Sequence, residues 1–201
     1  MASQAREPSI ALALLMSGHR RVLRGDLTQT PVPSAAQSLN ATELSSDAST
    51  AFCESAAPFA VLFDAGATSC SPMATFGIDA SQFISLKQSG DFFDATGGAQ
   101  RDADMVWVAA AVADPGIVIV VVMVPIDSRH IELNMAWVQA ETRAIRAVGA
   151  LLRLSVLVRE RITSRSLRVV AALRSEPENR IQWLGDHPDQ TGIIAALDRR
   201  H

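Results

Sequence analysis

Asp64 is the residue whose position in the sequence most suggests chemistry. It follows a short apolar run and opens the turn Asp64-Ala65-Gly66-Ala67-Thr68. A carboxylate at the end of a buried strand can join a second carboxylate to activate water, and glycine beside it lets backbone amides approach a phosphate. The simpler interpretation, which we prefer, is an aspartate that ends a strand where the chain turns on glycine.

Three classes of enzyme carry an aspartate in a similar turn, and the sequence departs from each of them. Retroviral-type aspartic proteases have a hydroxyl residue where Ala65 stands, and that hydroxyl braces the pair of aspartates. Sugar kinases and actin-like ATPases need a chain much longer than 201 residues. Phosphatases of the haloacid dehalogenase type need a second aspartate where Gly66 stands. An enzyme built on Asp64 is therefore one open hypothesis.

Nucleotide hydrolysis is not indicated by the sequence. A phosphate-binding loop of the form G-x-x-x-x-G-K-S/T is absent, and the only lysine, Lys87, is in no such context. The apolar run at 117–124 carries no carboxylate to hold magnesium. The sequence thus argues against an ATPase.

Histidine and cysteine do not have the spacing of a metal or redox site. We expect each scattered histidine to lie at the surface or to cap an element: His19, His130, His187 and His201. Cys53 and Cys70 are either a pair or two free thiols, and reduced thiols are the preferred interpretation. We therefore predict no catalytic, cofactor-binding or metal-binding residue, no cofactor, and a protein that is not an enzyme.

The elements that must position these residues alternate between strand and helix. Strands are predicted at 59–63, 83–86, 117–124 and 167–173, and the run at 117–124 is mostly β-branched without alternation. Such a run indicates a strand buried on both faces, as in a parallel sheet. Apolar residues at helical spacing follow it from Ile131 to Val148. The sequence predicts an α/β fold with an open, mainly parallel central sheet flanked by helices.

Proline and glycine delimit two of the helices. Ser71-Pro72 and Gly77 bound a short helix at 72–76. Residues 102–113 allow a helix or, through the turn at 114–116, a hairpin, and their alanine content favours the helix. The same turn interrupts the apolar stretch 105–126, so two elements explain that stretch better than a transmembrane span.

The sequence predicts one domain with flanking segments. The predicted divisions are an N-terminal helical segment at 1–27, a polar linker or loop at 28–55, an α/β core domain at 56–175 and a C-terminal tail at 176–201. The apolar run at 10–16 lacks a small-residue cleavage site, so it indicates one side of a short helix. A cytoplasmic location is therefore predicted.

Charge is distributed unevenly along the chain. Residues 129–175 carry nine arginines against three glutamates, whereas the whole chain has a net charge of −3. This segment could contact nucleic acid weakly or meet an acidic partner. The preferred interpretation is that the arginines solvate helix faces and pair with the acidic part of the chain. The tryptophans are expected in the core or as anchors for a partner: Trp107, Trp137 and Trp183.

Several segments, taken in order, resemble the RecA fold as used by the ImuA and SulA-like relatives of that recombinase. They are 18–25, Ala41-Thr42-Glu43-Leu44, 59–64, Ser71-Pro72, Phe76-Gly77-Ile78-Asp79, 83–86, 104–113, 116–125 and 137–154, the last resembling a helix followed by a strand. The resemblance implies a RecA-like core. The glycine-rich nucleotide loop and the strand-end carboxylate of the recombinases are missing, which implies a role without ATP hydrolysis.

The function that this resemblance implies is that of a non-catalytic accessory protein in the DNA damage (SOS) response and translesion synthesis. Its partners would be proteins, namely a polymerase assembly and a RecA filament. No contact with a membrane is expected. The alternative is a ligand-sensing or regulatory α/β module of unknown pathway, whose long helix relays a signal.

Overall fold

A five-stranded sheet in the order β2-β1-β3-β4-β5 forms the centre of the molecule. The computed structural model describes residues 7–25, 57–65, 71–87, 99–127, 133–176 and 178–199. Its strands are β1 Ala60–Asp64, β2 Phe83–Lys87, β3 Ile119–Asp127, β4 Arg168–Glu176 and β5 Arg180–Gly185. Its helices are α1 Pro8–Arg24, α2 Pro72–Phe76, α3 Ala99–Ala113, α4 Leu133–Leu154, α5 Val156–Thr163 and α6 Gln190–Asp198, with a 3-10 turn at Ala80–Gln82.

β3 is the middle strand of the sheet, as its uninterrupted apolar run predicts. It pairs in parallel with β1 on one side and β4 on the other, so that Val121 lies beside Leu62 and Val170. Residues 117–124 are all at most 2% exposed, because helices cover both faces of the sheet. The predicted α/β class with an open, mainly parallel sheet is confirmed.

The two faces of the sheet have different covers. Alternate residues of β1 and β3, such as Leu62 and Val121, face α1 and α2, where Leu15 and Phe76 are fully buried. Residues one position further along, such as Phe63, face the other side, where α3, α4 and α5 pack. Because side chains alternate along a strand, this assignment also fixes which face each polar residue at a strand end belongs to.

The local signals of proline, serine and glycine are confirmed at α2. The Ser71 side chain accepts a hydrogen bond from the Ala74 backbone N–H, and Gly77 ends the helix with φ of 62°. α3 is a helix rather than one strand of a hairpin. The strand that the resemblance placed before Leu154 is wrong, because α4 continues to that residue and Ser155 caps the next helix by accepting from Val158 N–H at 3.2 Å.

The C-terminal residues add a strand and a helix to the core. β5 pairs antiparallel with β4, and Ile193 of α6 packs against the apolar cluster on the α4 side. The domain boundaries predicted from the sequence stay predictions, although this part of the predicted tail belongs to the sheet. The predicted loop at 28–55 and both cysteines lie outside the described residues. Within the described ranges, no helix has the length and apolar content to cross a membrane.

Candidate functional site

The carboxyl edge of the sheet is where β1, β3 and β4 end. In open α/β sheets, ligands bind beyond the carboxyl ends of parallel strands, because the connecting loops converge there. Asp64 is the last residue of β1, and Arg174 lies near the end of β4. By alternation both side chains belong to the face that α1 covers, the face of Leu62 and Ala172. The edge therefore brings together two opposite charges from strands that are not neighbours.

Asp64 and Arg174 form a buried ion pair across the middle strand. The Arg174 Nη2 atom lies 3.8 Å from the Asp64 Oδ2 atom, and each side chain is only 6% exposed. In the register, Asp64 is opposite Met123 of β3, and Arg174 is opposite Pro125 of the same strand. The pair thus spans β3, and the low exposure of both groups strengthens their attraction relative to a surface pair.

The backbone beside the pair is held in place by the sheet. Ala65, which follows Asp64, donates its N–H to the Met123 carbonyl at 3.0 Å, so β1 stays paired with β3 up to this point. The connections that leave this edge after β1 and β3, at 66–70 and 128–132, lie outside the described residues. The turn at Asp64 that the sequence singled out is therefore described only for its first two residues.

The chemistry available to the pair is that of a carboxylate and a guanidinium. A carboxylate accepts hydrogen bonds or a proton, and a guanidinium donates in a planar fork that suits carboxylate-like anions. The described residues contain no group of three or more His, Cys, Asp and Glu side chains that could hold a metal ion. They do not fit a metal centre, so the chemistry we derive uses Asp64 and Arg174 alone.

Arg174 is the site residue that sequence reasoning missed. Asp64 was singled out, but its partner lies 110 positions further along the chain, at the end of an apolar run. The available signal is alternation: Arg174 continues the register of Val170 and Ala172, which places a cation on a buried face. A cation in such a position needs an anionic partner, because burying an isolated charge is costly.

The two histidines that the structure describes, His19 and His187, form hydrogen bonds with the backbone of the protein. His19 is buried: its Nδ1 lies 2.9 Å from the Thr75 carbonyl oxygen, and its Nε2 accepts from the Ile181 backbone N–H at 3.0 Å. A neutral ring that donates from Nδ1 satisfies both contacts. His187 is half-buried beside α4, whereas His130 and His201 lie outside the described residues.

Several arginines of the basic 129–175 segment make contacts within the protein. Arg159 donates to the Leu152 and Arg153 carbonyl oxygens, Arg161 donates to backbone carbonyls, and Arg168 pairs with Asp186. Together with the buried Arg174, these contacts account for four of the nine arginines. The contact with nucleic acid that the charge suggested stays a prediction.

Comparison with solved structures identifies the fold. The chain matches the β-carbonic anhydrase CafA of the fungal pathogen Aspergillus fumigatus with a TM-score of 0.56 and 12% sequence identity, covering 96% of this chain and 97% of that one. It also matches the E54A mutant of β-carbonic anhydrase CafD from the same fungus, at 0.49 and 10% identity over 79% of this chain and 95% of that one. A tetrameric β-carbonic anhydrase from Sordaria macrospora matches at 0.45 and 16% identity, over 67% and 84%. No protein-family model and no curated protein matches the sequence.

The match corrects the resemblance drawn from the sequence. The RecA-like ImuA and SulA-like assignment is wrong, because the solved structure that the chain matches with a TM-score of 0.56 is a β-carbonic anhydrase. The role in the DNA damage response and translesion synthesis is overturned with it, and the generic ligand-sensing alternative gains nothing. The prediction of a protein that is not an enzyme is contradicted as well, since the matched structures are enzymes.

Proposed function

We propose that this chain is an enzyme that hydrates carbon dioxide to bicarbonate at the carboxyl edge of its sheet. The observation that carries the proposal is the buried Asp64–Arg174 pair at that edge, in a chain that shares the fold of a β-carbonic anhydrase. Asp64 and Arg174 are the residues that we assign to the reaction. The assignment to carbon dioxide comes from the fold, and the assignment of the residues comes from the geometry.

In the proposed reaction, the Asp64 carboxylate orients a water molecule and accepts one of its protons. The water oxygen forms a bond to the carbon of carbon dioxide, whose C–O π electrons move onto an oxygen, and bicarbonate results. The Arg174 guanidinium stabilises the charge that develops on the carbon dioxide oxygens. The proton on Asp64 then leaves to solvent or buffer, which restores the carboxylate.

The test is the rate of carbon dioxide hydration measured by stopped flow with a pH indicator. Asp64→Asn should reduce the rate at least about a hundredfold, the usual size of an acid–base contribution. Because Asp64→Asn removes the carboxylate that pairs with the buried Arg174 and could cost about 3–5 kcal/mol of stability, Asp64→Asn/Arg174→Gln should be tested too. The double variant removes both charges and should fold but stay inactive.

Asp186→Asn is the matched control. It removes the other described Arg–Asp pair of β4, in which Arg168 Nε lies 2.8 Å from Asp186 Oδ1 at the opposite edge of the sheet. The control should keep the rate within about twofold, because a surface substitution changes little. A wild-type chain that hydrates carbon dioxide no faster than buffer, or a folded double variant with the wild-type rate, would reject the proposal.

The cytoplasm stays the proposed compartment. The apolar run at 10–16 belongs to α1, and its Ala11 and Leu15 are fully buried against the sheet. This packing supports the proposal that the run at 10–16 is part of the folded protein. Immunoblotting of fractionated cells for the full chain tests the assignment, and recovery outside the cytoplasm would contradict it.

A further inference from the structure

A groove of about 450 Å³ lies between the C-terminal half of α1 and the edge strand β5. Its lining combines two arginines with apolar side chains: Arg20, Arg180, Met16, Leu23, Ile181 and Trp183. A volume of this size falls within the roughly 300–1,000 Å³ of small-molecule sites. The mixture of apolar surface with a few convergent charges is also the composition that such sites have.

The base of the groove is held rigidly by the core. His19, which also lines the groove, bridges the Thr75 carbonyl and the Ile181 N–H, and so joins α1, α2 and β5. The Trp183 ring lies 6.2 Å from the ring of Phe76, which in turn stacks on Phe83 at 5.6 Å. These contacts shape the groove without a ligand, so binding does not have to order it first.

The charge of the groove is positive. Arg20 and Arg180 are both exposed, and in the part of the chain that the structure describes neither guanidinium forms a hydrogen bond or an ion pair. The nearby Leu23 side chain is 49% exposed. A ligand with an anionic group and an apolar body would satisfy the guanidinium donors and cover this side chain.

The outer edge of β5 does not favour an added strand. Ile181 directs its backbone N–H to His19 Nε2 at 3.0 Å. A peptide that extended the sheet would need that N–H for its own ladder of hydrogen bonds. The occupied donor therefore favours a compact ligand over an extended peptide.

We propose that this groove binds a small organic anion, a carboxylate or sulfonate on an aromatic body. The guanidinium groups of Arg20 and Arg180 hold the anionic group, and the body lies against Trp183, Ile181 and Leu23. The residues that line the groove do not include Asp64 or Arg174, although Ile181 lies opposite Arg174 in the register of β4 and β5. The proposal does not depend on the proposed hydration of carbon dioxide. Its test measures binding rather than turnover, so the two proposals can fail independently.

The test compares two fluorescent probes that differ in charge, 8-anilinonaphthalene-1-sulfonate and the neutral N-phenyl-1-naphthylamine. Titrated into the full chain, the sulfonate should bind saturably. Arg20→Ala/Arg180→Ala should weaken sulfonate binding about tenfold or more, because charge-assisted hydrogen bonds are lost. Binding of the neutral probe should change less than about twofold. Arg146→Ala/Arg199→Ala, which removes two exposed arginines outside the groove, should leave both affinities unchanged.

Trp183→Phe locates the probe. It keeps an apolar ring in the groove but removes the indole, so emission of bound sulfonate excited through tryptophan should fall by more than half, with affinity within about threefold. All variants are checked by circular dichroism, and Arg20 and Arg180 are exposed, so the fold should persist. Any one of three results would overturn the proposal. The sulfonate does not bind at millimolar concentration, its affinity is unchanged in Arg20→Ala/Arg180→Ala, or its emission excited through tryptophan is unchanged in Trp183→Phe.

Discussion

The Arg161 guanidinium lies where the end of α3, the start of β3 and the end of α5 meet. Its Nη1 donates to the Val112 carbonyl at 2.6 Å and its Nη2 to the Ile117 carbonyl at 2.6 Å, with further bonds to Asp114 and Ser166. Burial lowers the pKa of Arg161, and the negative charge of Asp114 opposes that shift. One side chain thus donates hydrogen bonds to backbone carbonyl groups at the ends of α3 and α5 and in the connection between α3 and β3.

Arg161→Ala should lower the free energy of unfolding by about 3–4 kcal/mol, because it leaves partly buried carbonyls without donors. Arg161→Lys should recover only part of the loss, since an ammonium cannot reproduce the planar fork. Urea denaturation followed by circular dichroism measures both. Arg146→Ala, at an exposed position on α4, is the control and should change stability by less than about 0.5 kcal/mol. A loss of that small size in Arg161→Ala would contradict the role of Arg161.

His187 makes stability depend on pH. Burial and the positive charge of Arg153 lower the pKa of His187 below its ordinary 6.5, against a raising effect of Asp189. The Asp189 N–H also donates to Nδ1 at 3.0 Å, a bond that requires an unprotonated nitrogen. In the unfolded chain the imidazole protonates at higher pH, so the unfolded state binds more protons than the folded state.

The histidine's contribution to stability should therefore decline as pH falls from about 6.5 towards the lower folded-state pKa, and be fully present above 6.5. The measurement is the urea midpoint between pH 5 and 8 for the wild type and for His187→Gln. The difference between the two curves isolates this residue from the carboxylates that also titrate. Parallel curves over the whole range would show that His187 does not contribute.

The crossing of α1 and α2 depends on the absence of a side chain at one position. A Cβ atom built on Gly18 would lie 2.0 Å from the Phe76 backbone oxygen, and backbone cannot rotate away as a side chain can. Gly18 is buried in the middle of this contact. The two helices therefore approach as closely as they do because residue 18 is glycine.

Gly18→Ala should destabilise the protein by about 1–3 kcal/mol, although alanine is the better helix former, because the helices must separate. Gly192→Ala in α6 is the matched comparison. Its Cβ would meet only the Asp189 carboxylate, an exposed side chain that makes no capping bond and can move. We expect it to be neutral or stabilising by up to about 1 kcal/mol. The measurement is the melting temperature of each variant by calorimetry. Shifts in opposite directions from the wild type would support the role of Gly18, and equal shifts would refute it.

At the scale of the whole molecule, the sequence predicted the elements better than their arrangement. β3, α2 and α3 follow from local features, namely a β-branched apolar run, a proline and glycine pair, and an alanine-rich segment. The order β2-β1-β3-β4-β5 does not follow, because many open α/β sheets share the same succession of strands and helices. The RecA resemblance failed for this reason.

The sequence drew attention to Asp64 of the candidate site, although no catalytic or binding residue was predicted from it. Asp64 is visible because it stands at the end of an apolar run beside glycine, a local pattern. Arg174 is its partner only once β1 and β4 are placed on either side of β3, which is a property of the sheet. The hydrogen bond between His19 and Ile181 was not predicted from the sequence for the same reason, because 162 positions separate the two residues.

That hydrogen bond sets an order of events during protein synthesis. α1 leaves the ribosome before the strands β1 and β3 with which its buried residues pack, and the His19 acceptor is paired only once Ile181 has been made. At about 5–20 residues per second, translation of the intervening 162 residues takes about 8–32 s. Until β1 and β3 have been made, Leu15 and its neighbours have no sheet to pack against, so nascent α1 presents an apolar surface that chaperones can bind before the rest of the chain arrives.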